Sequence, residues 1–248
     1  MLLAAGRGER MRPLTDRTPK PLLQAGGKPL ILWHIENLAR AGISELVINH
    51  AHLGRQIEAA LGDGRKFNVR IRYSPENPAL ETAGGIANAL PLLLPSPSGR
   101  GVGGEGEPFA VINSDIYCDY DFAQLLVHAA ALIKRGDAAH LVLVDNPPQH
   151  PNGDFGLSDG RVTKPATSVL DPRSSILTFS GIGIYLPGLF ANIPRGSSAP
   201  LAPLLRAQVA QNKVSGEHYA GRWVDVGTPQ RLEQLDKELR QPHNTSHA

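Results

Sequence analysis

Apolar residues recur at helical spacing through Ile31, Ile35, Leu38 and Ala39, behind Pro29 and ahead of Gly42, and the continuous apolar run Leu46-Val47-Ile48 follows. This pattern predicts a helix started by proline, stopped by glycine and followed by a buried strand. The rhythm repeats. A helix near Leu53 to Leu61, a strand from Val69 to Tyr73, a helix near Ala83 to Leu94 and a strand from Phe109 to Asn113 are expected in turn. A longer helix from Phe122 to Lys134 then leads to the strand His140 to Val144. Strands alternating with helices imply an α/β fold with a mixed, mostly parallel central sheet in three Rossmann-like layers.

The second half reads differently, because turn residues become dense between Pro147 and Arg173. Asp154 to Leu157 and Arg161 to Thr163 can pair across Ser158-Asp159-Gly160, and Leu177 to Tyr185 supplies a further strand. This part is expected to be antiparallel, with a helix from Pro229 to Arg240 closing the chain. Residues 95 to 108 (PSPSGRGVGGEGEP once Pro95 is counted) are low in complexity and too poor in apolar surface to offset the entropy of ordering them, so a mobile surface insertion is expected. The whole of 1 to 248 is otherwise expected to be a single domain. Only about four apolar residues precede Gly6, at the short end of strand lengths, which suggests a natural start slightly upstream of Met1.

Composition narrows the function. With 25 basic and 23 acidic residues, a formal charge of +2 leaves no general excess for holding nucleic acid by counterion release. Any positive site must be local. The single cysteine, Cys118, excludes an intramolecular disulfide and C-x-x-C metal or redox spacings. Neither an apolar run of membrane-spanning length nor a signal peptide is present, so no membrane partner and a cytoplasmic location are expected.

The chemistry concentrates at the start of the chain. Leu2 to Ala5 form an apolar strand, and Gly6 and Gly8 follow without the Cβ that would keep backbone amides away from a phosphate. Arg10 and Arg12 offer guanidinium forks, while Lys20, between Pro19 and Pro21, offers a compact charge. Met11 stands where a dinucleotide fingerprint would have its third glycine, and G-x-x-x-x-G-K-[ST] is nowhere found, which disfavours dinucleotide oxidoreductases and P-loop enzymes. Asp115 follows the strand ending at Asn113, where open α/β sheets place ligands, and Asp225 ends another apolar segment before the last helix. Singly each aspartate reads as a cap or turn, but together they make a clamp for Mg2+. Among the other histidines, His50, His52, His140, His150 and His218 show no recognisable ligand spacing, so no histidine metal set is expected.

The string Leu3-Ala4-Ala5-Gly6-x-Gly8-x-Arg10-Met11-x-Pro13-Leu14-Thr15, followed by Pro19-Lys20-Pro21, resembles the signature of the sugar-1-phosphate nucleotidyltransferases. That resemblance covers nearly the whole chain apart from the insertion. It implies that Leu3, Ala4 and Ala5 line a nucleoside, Gly6 and Gly8 give backbone contacts, and Arg10 and Lys20 neutralise phosphates. Asp115 and Asp225 match its magnesium ligands. It also implies that Glu81 and Gly85 meet the base, that Asn113 lies near base or ribose, and that Asn152, Asp154, Ser180 and Gly181 contact the sugar. Thr163 stands before Lys164-Pro165 where many members carry a sugar-binding glutamate.

The segments GRGERMRPLT, VINHAHLGRQIE, IRYSPE, LETAGGI, LVLVDNP, LTFSGI and KVSGEHYAGRWVDVGT further resemble the N-acetylmuramate-1-phosphate uridylyltransferases of cell-wall recycling. The activity this implies is transfer of a uridylyl group from UTP to a sugar 1-phosphate, with Arg10, Lys20 and Asp115 catalytic. The lactyl carboxylate of that sugar has no assigned partner, and Arg173, Arg195 and Lys213 are unplaced cations. Thymidylyl or guanylyl transfer to another hexose 1-phosphate and a non-catalytic sugar-nucleotide sensor remain alternatives. The oligomeric state is left open, with a monomer plausible.

Overall fold

The first strand places Leu2 and Ala4 against one layer of the core and Met1 and Leu3 against another, because successive side chains on a strand point to opposite faces. The same division recurs at Leu46 and Ile48 against Val47, and at Ile112 against Val111. Two apolar layers therefore sandwich one sheet. The computed structural model describes residues 1–94, 106–165 and 175–241.

In chain order the strands are β1 (Leu2–Ala4), β2 (Gln24–Ala25), β3 (Lys28–Pro29), β4 (Glu45–His50), β5 (Arg70–Pro75), β6 (Phe109–Asn113) and β7 (Ile116–Cys118). They continue as β8 (Ala139–Val144), β9 (Phe155–Ser158), β10 (Arg161–Thr163), β11 (Ser175–Tyr185), β12 (Val214–His218) and β13 (Trp223–Asp225). The helices are α1 (Leu30–Arg40), α2 (Gly54–Leu61), α3 (Glu81–Leu93), α4 (Gln124–Arg135), α5 (Leu201–Ala210) and α6 (Pro229–Arg240).

Nine strands form one sheet in the order β5-β4-β1-β6-β11-β8-β12-β10-β9. Strands β5, β4, β1 and β6 are mutually parallel, β11 opposes both β6 and β8, and β12 runs with β8. Only β10 and β11 run against the rest, so the sheet is mixed but mostly of one direction. Helices α1, α2 and α4 send Ile31, Ile35, Leu38, Ile57, Leu61, Leu125 and Leu132 onto one face. Helices α3 and α5 cover the other with Ile86, Ala87, Leu201, Leu205 and Val209.

A third apolar cluster seats α6 through Leu232 and Leu235 against Met11, Ala25, Leu30 and Val226. It packs the last helix onto the turns that follow β1. Thr228 caps α6, its Oγ1 accepting from the Arg231 amide at 3.3 Å.

The expected hairpin forms as β9 and β10, with Val162 opposite Leu157, and β11 also pairs with β9. Helix α5 and strand β12 are elements that the hydrophobic pattern did not announce. Most of the expected insertion, 95–105, lies outside the described residues, as does Arg173. Among the described residues no helix is long and apolar enough to cross a membrane.

Candidate active site

The carboxyl ends of β1 and β6 open into a cleft of about 450 Å³. Its lining includes Leu3, Ala4, Ala5, Gly6, Gly8, Arg10, Lys20, Glu81, Asn113 and Asp115, together with Gly227. Residues more than 200 positions apart therefore share one wall, at the carboxyl ends of strands where open α/β sheets place ligands.

The glycine turn has two distinct properties. Gly8 sits at φ 67°, and a Cβ there would stand 3.0 Å from Thr15 Cγ2, so glycine is required by backbone and space alike. Thr15 Oγ1 donates to the Gly8 carbonyl at 2.8 Å and braces the turn. Gly6 is exposed in the cleft lining, and a Cβ there would meet nothing within 4 Å. Arg10 is exposed at the rim and makes no ion pair among the described residues, whereas Arg12 is bound to Asp16 at 2.7 Å and is not part of the lining.

Lys20 is the buried cation of the site, 6% exposed, with Nζ donating to Asp115 Oδ2 at 2.6 Å. A charge that deep requires a partner, and Asp115 provides it. Asp225 is brought beside Asp115 by the antiparallel pair β7–β13, in which Asp225 faces Ile116 and the Val226 amide donates to the Asp115 carbonyl at 3.1 Å. Its carboxylate accepts from Arg231 at 2.7 Å and borders a second cavity of about 170 Å³ rather than the cleft itself. A Cβ on Gly227 would stand 3.1 Å from both Asp225 carboxylate oxygens, so the glycine keeps that carboxylate uncrowded. Beneath the pair lies His34, whose Nε2 is 2.8 Å from the Ile116 carbonyl and whose pKa burial pulls down to about 4.

The segment Glu81-Thr82-Ala83-Gly84-Gly85 lies within α3 rather than before it. The amides of Ala83 and Gly84 donate to the Ala199 carbonyl, which satisfies two of the helix's free N–H groups. Glu81 lines the cleft at φ 59°, a left-handed conformation costly for a side-chain-bearing residue and concentrated at functional sites. Gly85 is buried below the lining: a Cβ there would stand 2.6 Å from Glu76 Oε1 and 2.8 Å from Asn49 Nδ2.

Those two neighbours are site residues that sequence reasoning missed. Asn49 Oδ1 accepts from the Ala4 amide at 2.9 Å, its Nδ2 donates to Glu76 Oε1 at 2.7 Å, and Glu76 Oε2 accepts from the Leu80 amide at 2.8 Å. A fully engaged buried network thus ties β1 to β4 and to the entry of α3. Its only sequence signal was a pair of polar residues at strand ends, Asn49 in β4 and Glu76 just after β5.

The four residues expected at a sugar line neither cavity. Asp154 is engaged within the chain, Oδ2 accepting from the Phe179 amide at 2.9 Å and Oδ1 lying 3.1 Å from His150 Nε2. Asn152 is exposed in the preceding turn. Ser180 and Gly181 form the irregularity where the β11–β8 register shifts between Phe179 and Ile182. The Ser180 hydroxyl accepts from the Ile182 amide at 3.1 Å, and its carbonyl accepts from Trp223 Nε1 at 2.9 Å. Gly181, at φ 84°, faces the Asn113 side chain so closely that a Cβ would lie 2.7 Å from Nδ2. This kink therefore touches Asn113 on one side and the strand carrying Asp225 on the other.

Chemically, the cleft combines exposed glycine backbone, two cations of different reach and the Asp115 carboxylate, with Asp225 on the strand paired next to it and its side chain bordering the neighbouring cavity. That set suits a polyanionic ligand together with a hard divalent cation. Residues 1–241 match the family described as "Nucleotidyl transferase". The chain is 53% identical over 236 residues to an N-acetylmuramate alpha-1-phosphate uridylyltransferase from Neisseria meningitidis serogroup B, covering 94% of this chain and 95% of that protein. It is 32% identical to a mannose-1-phosphate guanyltransferase from Hypocrea jecorina, covering 92% of this chain but only 60% of the longer relative. Its fold matches that of HddC from Yersinia pseudotuberculosis with a TM-score of 0.70 at 19% identity, over 96% of this chain and 97% of that one. An apo UDP-glucose pyrophosphorylase matches with a TM-score of 0.67 at 20% identity, over 96% of each chain. From the family match across 1–241 and the meningococcal relative, the chain is an enzyme of the nucleotidyl transferase family.

Proposed function

We propose that this enzyme transfers a uridylyl group from UTP to N-acetylmuramic acid 1-phosphate, giving the UDP-sugar and pyrophosphate. The observation that carries the chemistry is the meeting of Lys20 and Asp115 at the mouth of the glycine turn, with β13 bringing Asp225 alongside through its pairing with β7. The choice of uridine and of this sugar is supported by the extent of identity to the meningococcal enzyme. A role in peptidoglycan recycling, a cytoplasmic location and a single catalytic domain follow from the same reading.

A phosphate oxygen of the sugar 1-phosphate forms a bond to the α-phosphorus of UTP while the bond from that phosphorus to the bridging oxygen breaks and pyrophosphate leaves. The nucleophile is ionised at neutral pH, so no side chain need remove a proton. The protein's task is to hold two anions together against repulsion and to align them. The exposed backbone around Gly6 and the turned backbone at Gly8 receive phosphate oxygens. Arg10, free at the rim, compensates the charge of the departing pyrophosphate. Lys20, desolvated and held by Asp115, presents fixed positive charge where charge develops. Glu81 and Asn113 bound the nucleoside end of the cleft, and Asn49 holds the Ala4 amide in register there.

Asp115 and Asp225 fit Mg2+, being hard oxygen donors on paired strands with Gly227 leaving room at Asp225. When bound, that ion supplies charge neutralisation and polarisation of phosphate oxygens.

One assay tests the proposal. Purified protein with Mg2+ and each of four nucleoside triphosphates is offered N-acetylmuramic acid 1-phosphate, N-acetylglucosamine 1-phosphate, glucose 1-phosphate or mannose 1-phosphate. The expected product mass is that of UDP-N-acetylmuramic acid, with stoichiometric pyrophosphate. A higher kcat/KM for another pair reassigns the substrates, and nucleotide binding without pyrophosphate release favours a sensor.

A further inference from the structure

Away from the cleft, three side chains from three separate elements converge: His128 from α4, His140 from β8 and Glu217 from β12. No spacing in the sequence links them, so no ligand motif singled them out. We infer that His128, His140 and Glu217 bind a single Zn2+ ion at a site distinct from the nucleotide cleft.

Their potential ligand atoms all lie within 4.8 Å of one another. His140 is 3% exposed, and its Nε2 has no hydrogen-bond partner; nor has Nε2 of His128. Both lie near Glu217 Oε1, at 3.7 Å from His140 and 3.1 Å from His128. A buried ring nitrogen beside a carboxylate and left unbonded is an uncompensated polar group. A cation between them satisfies all three at once.

The supporting contacts are already built. His140 Nδ1 lies 3.1 Å from Ser215 Oγ, which can take its proton and leave Nε2 with the lone pair that a metal requires. Tyr120 donates its hydroxyl to Glu217 Oε1 at 2.6 Å, orienting the carboxylate as second partners of zinc ligands do.

Two histidines and one glutamate are a zinc ligand set, leaving a fourth position for water. The imidazoles stack 4.0 Å apart at 13°, so binding requires the rings to fan until the nitrogens stand about 3.4 Å apart, the separation that tetrahedral Zn–N bonds impose. His128, 22% exposed on α4, is the ring that makes that adjustment while Ser215 holds His140. The ion would tie α4 to β8 and β12, just upstream of the strand that carries Asp225.

The test uses the full chain without an affinity tag, stripped with chelator and titrated with ZnCl2 in millimolar MgCl2. Uptake of one Zn2+ per chain is expected, with a rise in the thermal unfolding midpoint. His140→Gln and His128→Gln should each weaken uptake by about 10-fold to 100-fold and abolish the rise. Co2+ in place of Zn2+ should give the visible absorption of a four-coordinate site. Wild-type protein labelled with 15N-histidine supplies a readout independent of variant folding: the Nε2 resonances of His128 and His140 should shift with saturating Zn2+. Absence of uptake, uptake unchanged in both variants, or unmoved Nε2 resonances would overturn the inference.

Discussion

Lys20 Nζ and Asp115 Oδ2 lie 2.6 Å apart across 95 residues of chain, the lysine side chain 8% exposed and the aspartate 39%. The carboxylate thus holds the cation before any substrate arrives, and its exposed side remains available to a divalent ion. One aspartate serves both charges.

Removing the charge while keeping the buried stem, as in Lys20→Met, should lower kcat about 100-fold or more, the usual cost of losing one preorganised donor to developing charge. Far-ultraviolet circular dichroism should be unchanged. Turnover near the wild-type rate would remove Lys20 from the catalytic set.

Asp225 is shared between Arg231 and the proposed magnesium. Asp225→Asn should raise the Mg2+ concentration for half-maximal rate by at least about 10-fold, whereas Arg231→Gln frees the carboxylate and should lower it. Titration of MgCl2 at saturating substrates measures both. Equal requirements in all three proteins would disconnect Asp225 from the metal.

Gly181→Ala combines a disfavoured positive φ with a Cβ 2.7 Å from Asn113 Nδ2. A loss of about 1–3 kcal/mol in urea unfolding is expected from the backbone alone. Because Asn113 must also yield, KM for UTP should rise more than for Asn152→Ala, which lies in an exposed turn. Similar KM values in the two variants would contradict the role given to this kink.

His34 confers a pH dependence whose sign follows from burial. Its pKa falls from 6.5 unfolded to about 4 folded, so the unfolded chain binds a proton that the native one refuses. The stabilisation is complete above pH 6.5, declines as pH falls toward 4, and amounts to about 3 kcal/mol over that window. Urea unfolding at pH 7.5 and 4.5 should show this loss in the wild type and a smaller one in His34→Gln. Equal losses would mean that other groups dominate.

The strand-helix rhythm was legible because hydrophobic period is a local property. Phe109–Asn113 and Pro229–Arg240 stand where the pattern predicted them, and Leu177 to Tyr185 fell inside β11. Helix α5 escaped because Pro200 and Pro203 at its start read as loop, although proline fits a first helical turn. Strand β12 escaped because Gly216 interrupts it, yet a Cβ there would meet Val162 Cγ2 at 2.7 Å.

For the site, the glycine turn, Arg10, Lys20, Asp115 and Asp225 could be picked out because their chemistry is exceptional for their local setting. Residues whose role is to hold others could not: Asn49 and Glu76 are ordinary polar residues until strand pairing buries them. The sequence by itself determined the strand–helix alternation of the first half, the closing helix, the conformational freedom of the glycine turn and the end of β6 at which Asp115 stands. Only the tertiary structure decided that β13 pairs with β7, that the kink at Gly181 abuts Asn113 and that His128 meets His140 and Glu217. The physical reason is range: propensity and periodicity act over a few residues, whereas these contacts join segments from 12 to 110 positions apart through strand pairing and packing, whose partners no local pattern specifies.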